Sequence, residues 1–530
     1  MTIKIFVADD VSESGIGPLR KAGFDVEKRT GLPRAQLAAA IADCDGLIVR
    51  SETRVTSELL DAAPKLRVIG RAGVGVDNID VAAATIRGVV VMNAPDGNTI
   101  TTAEHTIALL VSLARSIPQA NSSLKDGLWE RKKFVGVELQ GKTLGIIGLG
   151  RIGRVVASRA RALGMFIVAY DPFVAAEQAH DLEIELAPMD EVYARADFLT
   201  VHTPLTPETR GMIGRDVFSK MKNGARIINC ARGGLIDEEA LYEAITSGSI
   251  AGAALDVFVQ EPPPAGSPLI NLDQVIVTPH LGASTMEAQE GVAFTVAEQM
   301  RDFLINGTLK GAVNVPALGT KELKILQPYL SLAESLGRFQ AQLVERRVDE
   351  VQIEYAGEIV DIDAAPVTRA FLSGLLRDVS ARVNVVNAFV IAEERGIKVS
   401  TTYVRAGGDA PGIRTHIVSG NSEHVVAGNI FAYGGHPAEG RITEIDGFHL
   451  EAIPHGHMLV MHNRDVPGVI GSVGTILGRA GVNIGSFNLG RRERGGEAVA
   501  VIEIDAPLEK KVIDELRALE QVLSATQIEL

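Results

Sequence analysis

The residue types best suited to move a proton and hold an anion stand in three short stretches, each at the end of an apolar run. Ile227-Ile228-Asn229 leads into Cys230-Ala231-Arg232-Gly233-Gly234, and Ala253-Ala254-Leu255 leads into Asp256-Val257-Phe258 and then Glu261-Pro262-Pro263. Val275-Ile276-Val277 leads into Thr278-Pro279-His280-Leu281-Gly282-Ala283-Ser284-Thr285. An imidazole, carboxylates and a guanidinium suit the oxidation of a 2-hydroxy acid, which needs a hydride acceptor, a base for the hydroxyl proton and a cation for the carboxylate. Neutral imidazole, with a pKa near ~6.5, is the natural base. A carboxylate beside it fixes its tautomer and steadies the imidazolium that forms, and arginine offers the substrate carboxylate a planar fork. Singly, each has a plainer reading: His280 as a structural imidazole, Arg232 as half of an ion pair, Glu261 as a surface acid in a Pro-rich loop. Their joint placement, with a dinucleotide fingerprint upstream, favours the chemical reading.

That fingerprint is Gly148-Leu149-Gly150-Arg151-Ile152-Gly153, between the apolar strand Leu144–Ile147 and a helix starting near Ile152. Glycines there permit a tight turn and let backbone N–H groups approach a pyrophosphate at the positive end of the helix. The next strand ends in Tyr170-Asp171-Pro172, at the expected distance of roughly 20 residues. Asp171 can accept from the ribose hydroxyls and would repel a 2′-phosphate, and no lysine or arginine follows closely to reverse that. NAD, rather than NADP, is the expected cofactor.

Elements of a particular kind must position these groups. Short β-branched runs at Ile3–Val7, Gly46–Val49, Arg67–Ile69 and Val89–Met92 alternate with helical periods such as Arg34–Ala42 and Ser57–Ala62. A second series runs through Thr143–Gly148, Phe166–Asp171, Phe198–His202, Arg226–Asn229, Gly252–Asp256 and Val275–Thr278. Such alternation predicts α/β architecture, with doubly wound parallel sheets in two lobes of Rossmann or flavodoxin type. Long helices from Asn98 to about Arg115 and from Met286 to about Ile305 connect them, so the second lobe is expected as an insertion into the first. Ligands in such sheets sit beyond the carboxyl ends of the strands, where Arg232, Asp256, Glu261 and His280 can converge.

The rest differs in pattern. Strand-like runs at Val351–Tyr355 and Lys398–Val404 and helices at Val367–Arg377 and Asn384–Glu394 predict an α+β domain, ending near the Gly-rich Ala432-Tyr433-Gly434-Gly435-His436. From His457 the order is strand, helix Val469–Ala480, strand Asn483–Leu489, strand Glu497–Ile504, helix Leu508–Leu519 and strand Val522–Ile528, a ferredoxin-like βαββαβ plan. The division expected is 1–97 with 287–320, 98–286, 321–454 and 455–530.

Composition narrows the class. At 530 residues the chain exceeds one core, since domains run to ~100–200 residues. A net charge of -14 argues against a broad nucleic-acid surface. Cys44 and Cys230 are the only cysteines, so no disulfide framework is expected and a reducing, cytoplasmic setting fits. Neither a signal peptide nor an apolar run of the ~20 residues that span a bilayer is read, so no membrane partner is expected. His436, His449, His455 and His457 lack cysteine or acidic partners at zinc spacing, and no metal is expected.

Gly148–Gly153, Asn229–Gly234, Asp256–Pro263 and Thr278–Thr285 resemble the signatures of the D-isomer-specific 2-hydroxyacid dehydrogenases. More narrowly, Arg71-Ala72-Gly73-Val74-Gly75-Val76-Asp77-Asn78-Ile79-Asp80 and Trp129-Glu130-Arg131-Lys132-Lys133-Phe134 are similar to the long members that oxidise 3-phospho-D-glycerate to 3-phosphohydroxypyruvate, opening L-serine biosynthesis. The resemblance spans essentially the whole chain. It implies that His280 is the acid/base, Glu261 its partner and Arg232 the carboxylate ligand. It places Gly148, Gly150, Arg151, Ile152, Gly153, Asp171, His202, Thr203, Pro204, Cys230, Ala231, Arg232, Asp256, His280 and Gly282 around NAD. Arg50, Ser51, Arg71, Gly73, Val74 and Asn98 fall around the substrate, and Lys133, in the Arg131-Lys132-Lys133 cluster, at a neighbouring subunit's site, which implies a dimer or tetramer.

The C-terminal plan resembles an ACT domain, which implies L-serine as effector on Asn463, Asp465 and Asn483. Residues 321–454 resemble the intervening regulatory domain of the long members, with Arg441 as a candidate anion contact. The readings set against this are a glyoxylate/hydroxypyruvate reductase and a non-catalytic NAD-sensing corepressor on the same fold.

Overall fold

The structure is a computed structural model and describes residues 2–316, 320–344, 347–379, 382–405, 412–432 and 438–530. The Gly-rich stretch expected at 432–436 lies, beyond Ala432, outside the described residues, and His436 with it.

Two all-parallel sheets carry the first three-fifths of the chain. The first orders its strands Asp25–Lys28, Lys4–Val7, Gly46–Val49, Val68–Arg71 and Val90–Asn93. Gly46–Val49 is buried at every position, as expected of a strand covered on both faces, which therefore reads as an unbroken apolar run. The second sheet runs Val275–Val277, Ile250–Leu255, Ala225–Asn229, Phe198–Val201, Thr143–Ile147, Phe166–Tyr170 and Glu185–Leu186. Strand order reverses beside Thr143–Ile147, which opens a crevice at the carboxyl ends.

The helix Thr99–Arg115 carries the chain out of the first lobe, and Met286–Asn306 brings it back. Val292, Ala293, Val296, Ala297 and Met300 of the returning helix join the core of the first sheet. Beyond it, Val313 N donates to Val91 O at 2.7 Å. The second lobe is thus inserted into the first.

A mixed six-stranded sheet follows, ordered Lys398–Val404, Glu350–Ala356, Ile413–Ser419, Ser422–Phe431, Glu439–Ile445 and Phe448–Ala452. Only the first pair is parallel. The helices Thr320–Leu343 and Ala365–Leu375 meet at Gly337 and Gly374, where a Cβ would sit 2.1 Å from Phe371 O and from Glu334 O. The helix expected from Asn384 begins instead at Ala388. Val386 N donates to Asn384 Oδ1 and Asn384 N to Asn387 Oδ1, so side chains tie this segment into a turn.

The last sheet is antiparallel, ordered Ile484–Arg491, Glu497–Ile504, His457–Arg464 and Val522–Glu529. Alternation sorts its faces: Leu459, Met461, Ala500 and Ile502 meet the helices Val469–Arg479 and Lys510–Arg517, while Met458, Val460, Val499 and Val501 join the core of the preceding domain. No helix among the described residues is long and apolar enough to cross a membrane.

Candidate active site

The histidine loop is built on one buried carboxylate. Asp256 ends the strand Ile250–Leu255, its side chain fully buried. It accepts from Thr278 Oγ1 at 2.6 Å, Leu281 N at 2.7 Å and Gly282 N at 2.8 Å, and His105 Nε2 lies 3.1 Å away. Burial works against its charge, but these donors outweigh that and hold its pKa below the usual carboxylate value. His280 N also donates to Asp256 O at 2.9 Å. The loop so pinned holds His280 at φ 55°, a left-handed conformation that few non-glycine residues adopt. Asp256, which the resemblance sets among the residues around NAD, thus has its oxygens committed to the loop that carries His280 and to His105.

His280 Nδ1 stands 2.7 Å from Glu261 Oε2. Glu261 Oε1 accepts from Phe258 N at 3.1 Å, which fixes the carboxylate. Burial alone would raise the Glu261 pKa, yet the bonds from His280 and Phe258 N bring it below the ordinary value. An ionised carboxylate only accepts, so Nδ1 carries the proton and Nε2 keeps its lone pair for an incoming hydroxyl. With 46% of the His280 side chain exposed, that lone pair is reachable.

The adjoining turn supplies the cation. Asn229 accepts from Ala231 N at 3.0 Å and donates from Nδ2 to Arg232 O at 2.9 Å, shaping the turn after the strand Ala225–Asn229. Gly233 packs on the Glu261 loop so closely that a Cβ would sit 1.8 Å from Phe258 O, so only glycine fits. Cys230, in the same turn, is buried and its thiol is pushed up to about 12, which keeps it neutral.

Arg232 faces two further arginines on the other lobe. Arg71 closes the strand Val68–Arg71, and its Nε is buried with no partner. Burial, then the charges of Arg232 and Arg50, lowers its pKa to about 10, leaving it a cation at neutrality. A half-buried arginine with an unpartnered Nε beside like charges calls for an anion. Asp9 and Asn78 scaffold the loop of Arg50 and Ser51: Asp9 accepts from Arg50 N, Thr53 N and the Thr53 hydroxyl, and Asn78 Nδ2 donates to Arg50 O and Thr53 O. Ser51 is exposed beside them. Gly73 N is spent on Arg71 O at 2.8 Å. Asn98, at the interlobe hinge, has a buried Oδ1 with no partner.

The nucleotide crevice fits a dinucleotide on its own geometry. Gly148 has φ 94°, and a Cβ on Gly153 would sit 2.2 Å from Gly148 O. Gly150 caps the helix Arg151–Ala162 without a side-chain bond, leaving the amides at Arg151 and Ile152 open to a phosphate. Asp171 accepts from Leu149 N at 2.7 Å on one oxygen and from Phe173 N at 2.9 Å on the other, which sets the carboxylate at the loop and leaves one lone pair on each oxygen able to accept from ribose hydroxyls. His202 and Thr203, with Pro204 next in the chain, back onto Gly148, where a Cβ would sit 2.8 Å from His202 O and 3.0 Å from Thr203 Cγ2. Burial lowers the His202 pKa to about 4, so this ring adds no charge. Arg151 pairs with Asp96 at 2.6 Å.

Three of the expected groups stand elsewhere. Lys133 lines a cavity of about 540 Å³ with Arg226, Ala251 and Gln274, at the opening ends of the strands whose far ends carry the site. In the C-terminal sheet Asn463 aligns with Ala498, whereas Asn483 adjoins Ile484, which aligns with Ile504 at the other end. Asn463 Oδ1 is buried and unpartnered, Asp465 is held by Arg491 at 2.8 Å, and Asn483 donates to Asp505 at 3.0 Å. Arg441 is flanked by Glu439 at 3.0 Å and Glu451 at 3.1 Å, so its charge is matched within the domain. His105, Asp77, Asp9 and Asn229 are functional neighbours that the sequence does not single out. Asp77 and Asn229 lie inside the motifs Arg71–Asp80 and Asn229–Gly234, but His105 is a mid-helix residue with no local mark.

Family models match at three places: the NAD-binding domain of D-isomer-specific 2-hydroxyacid dehydrogenases over residues 107–282, the D-3-phosphoglycerate dehydrogenase intervening domain over 325–446 and the ACT domain over 457–521. The chain is 42% identical to a D-3-phosphoglycerate dehydrogenase of Archaeoglobus fulgidus, over 100% of both chains. Against the enzyme of the same name from Methanocaldococcus jannaschii the identity is 45%, again over 100% of both. The crystal structure of D-lactate dehydrogenase from Aquifex aeolicus complexed with NAD and lactic acid superposes with a TM-score of 0.51 at 27% identity, covering 59% of this chain and 100% of that one. The chain therefore belongs to the D-isomer-specific 2-hydroxyacid dehydrogenases, within their D-3-phosphoglycerate dehydrogenase branch, and is an NAD-dependent oxidoreductase.

Proposed function

We propose that the chain oxidises 3-phospho-D-glycerate to 3-phosphohydroxypyruvate at the cleft between the parallel-sheet lobes. The observation that carries this is the His280–Glu261 pair at 2.7 Å, on the turn-and-loop surface that also presents Arg232 beside Arg71 and Arg50. Arg232 takes the substrate carboxylate, while Arg71 and Arg50 supply the charge a phosphate needs, with Ser51, Gly73, Val74 and Asn98 around them. His280 Nε2 accepts the proton of the 2-hydroxyl as the C2–H hydride departs, and Glu261 steadies the imidazolium. NAD supplies the hydride acceptor, held by the Gly148–Gly153 turn and Asp171.

In this reading residues 1–97 with 287–320 form the substrate lobe, 98–286 the NAD lobe, 321–454 the intervening domain and 455–530 the effector domain. Asn463 and Asp465 of one copy and Asn483 of a second build an L-serine site. The Arg131-Lys132-Lys133 arm, on which Leu128, Trp129 and Val135 are largely exposed, reaches a second copy's cleft.

Following NADH formation with 3-phosphoglycerate, and NADH consumption with glyoxylate, tests the substrate. Turnover of phosphoglycerate is expected. Turnover of glyoxylate alone would sink the phosphate assignment.

A further inference from the structure

Asp77 and Arg232 stand on opposite lobes, yet Arg232 Nε lies 3.0 Å from Asp77 Oδ2, an ion pair that crosses the cleft. Gly75 runs beneath both: a Cβ there would sit 2.0 Å from Arg232 Nη2 and 2.8 Å from Asp77 Oδ2. Arg232 Nη1 is tied to Ala231 O at 2.7 Å, so Asp77 holds one prong of the side-on fork, Nε with Nη2. The other acid of the cluster, Asp9, is buried and committed to the Arg50 loop. The Asp77 side chain is 66% exposed and can swing away. Its charge also offsets, at Arg71, the repulsion of Arg232 and Arg50.

Resting on the reading that Arg232 binds the substrate carboxylate, we propose that Asp77 is a resident stand-in for that carboxylate. It holds the guanidinium in its binding pose and yields it to the entering acid. The consequence is selectivity. A small anion with one charged group must displace Asp77 for a single new contact. A phosphorylated hydroxy acid displaces it with its carboxylate while its phosphate engages Arg71 and Arg50. Asp77 is a positioning residue that weakens simple anions most.

The test is a thermal-shift titration of glycolate, a hydroxy acid with a carboxylate and no phosphate, into the NAD-loaded full chain, which needs no turnover. Asp77→Asn is expected to tighten glycolate roughly three- to tenfold, as for loss of one partly exposed ion-pair competitor, and Asp77→Glu to restore wild-type affinity. In the Arg232→Gln background the gain from Asp77→Asn should vanish. Glycolate affinity that is unchanged or weaker in Asp77→Asn, or a gain that survives without Arg232, would overturn the proposal. A wild type that binds glycolate but does not oxidise phosphoglycerate would instead fail the functional reading alone.

Discussion

The interlobe cleft and the C-terminal sheet both draw candidate residues from separate strands, but only in the cleft do those strand ends meet within one chain. In the cleft, parallel strands deliver Arg232, Asp256 and His280 to the same end of one sheet, and backbone bonds to Asp256 lock the loop. In the C-terminal sheet, antiparallel pairing sends Asn463 and Asn483 to opposite ends, about six residues or ~20 Å apart. Parallel topology concentrates strand ends, so the imidazole, its carboxylate partner and the guanidinium meet within one chain. Antiparallel topology separates them, so a site built from those residues needs a second copy. Catalysis and effector response should therefore respond differently to mixing variant chains.

The largest expected effect is in the cleft. Arg232→Gln should lower kcat/KM for phosphoglycerate by about 10³-fold, the loss of ~4 kcal/mol of charge-assisted binding, in steady-state NADH assays. Asp256→Asn leaves buried donors facing an amide and should destabilise the NAD lobe by ~2–4 kcal/mol in denaturant titrations. Its depressed pKa fixes the pH sign. The contribution is full above its unfolded value near ~3.9 and is lost as pH falls through the lower folded value. The variant should lack that acid-limb dependence.

A smaller effect sharpens the other half of the comparison. Asn463→Ala and Asn483→Ala should each weaken inhibition by L-serine about tenfold or more, and mixed assemblies of the two variants should regain part of it. Equal loss in the mixture would place the site within one chain. Least affected is the Arg151–Asp96 pair, whose side chains are 59% and 76% exposed. Asp96→Asn should shift stability by no more than about 0.5 kcal/mol.

Parallel lobes were legible in the sequence because strands such as Gly46–Val49 and Phe198–Val201 are buried at every position and, Thr200 apart, carry no polar side chain. The strand Ile413–Ser419 is harder to read because its buried face mixes Ile413 and Ile417 with the polar Thr415 and Ser419, so the alternation with Arg414, His416 and Val418 is not one of apolar with polar. Asp25–Lys28 escaped too, being an edge strand with a single buried valine. At the site, His280 and Glu261 were readable by type and spacing, and the structure brings their side chains together. His105 was not, because its link to Asp256 spans 151 residues and depends on how the helix Thr99–Arg115 packs beside the sheet.

The central claim, that His280 paired with Glu261 removes the substrate proton, is tested most directly by His280→Asn. NADH formation from phosphoglycerate should fall by ~10³-fold or more while NAD affinity, followed by thermal shift, stays within about twofold of wild type. Turnover retained within about tenfold of wild type, with NAD bound normally, would contradict the assignment of His280 as the base.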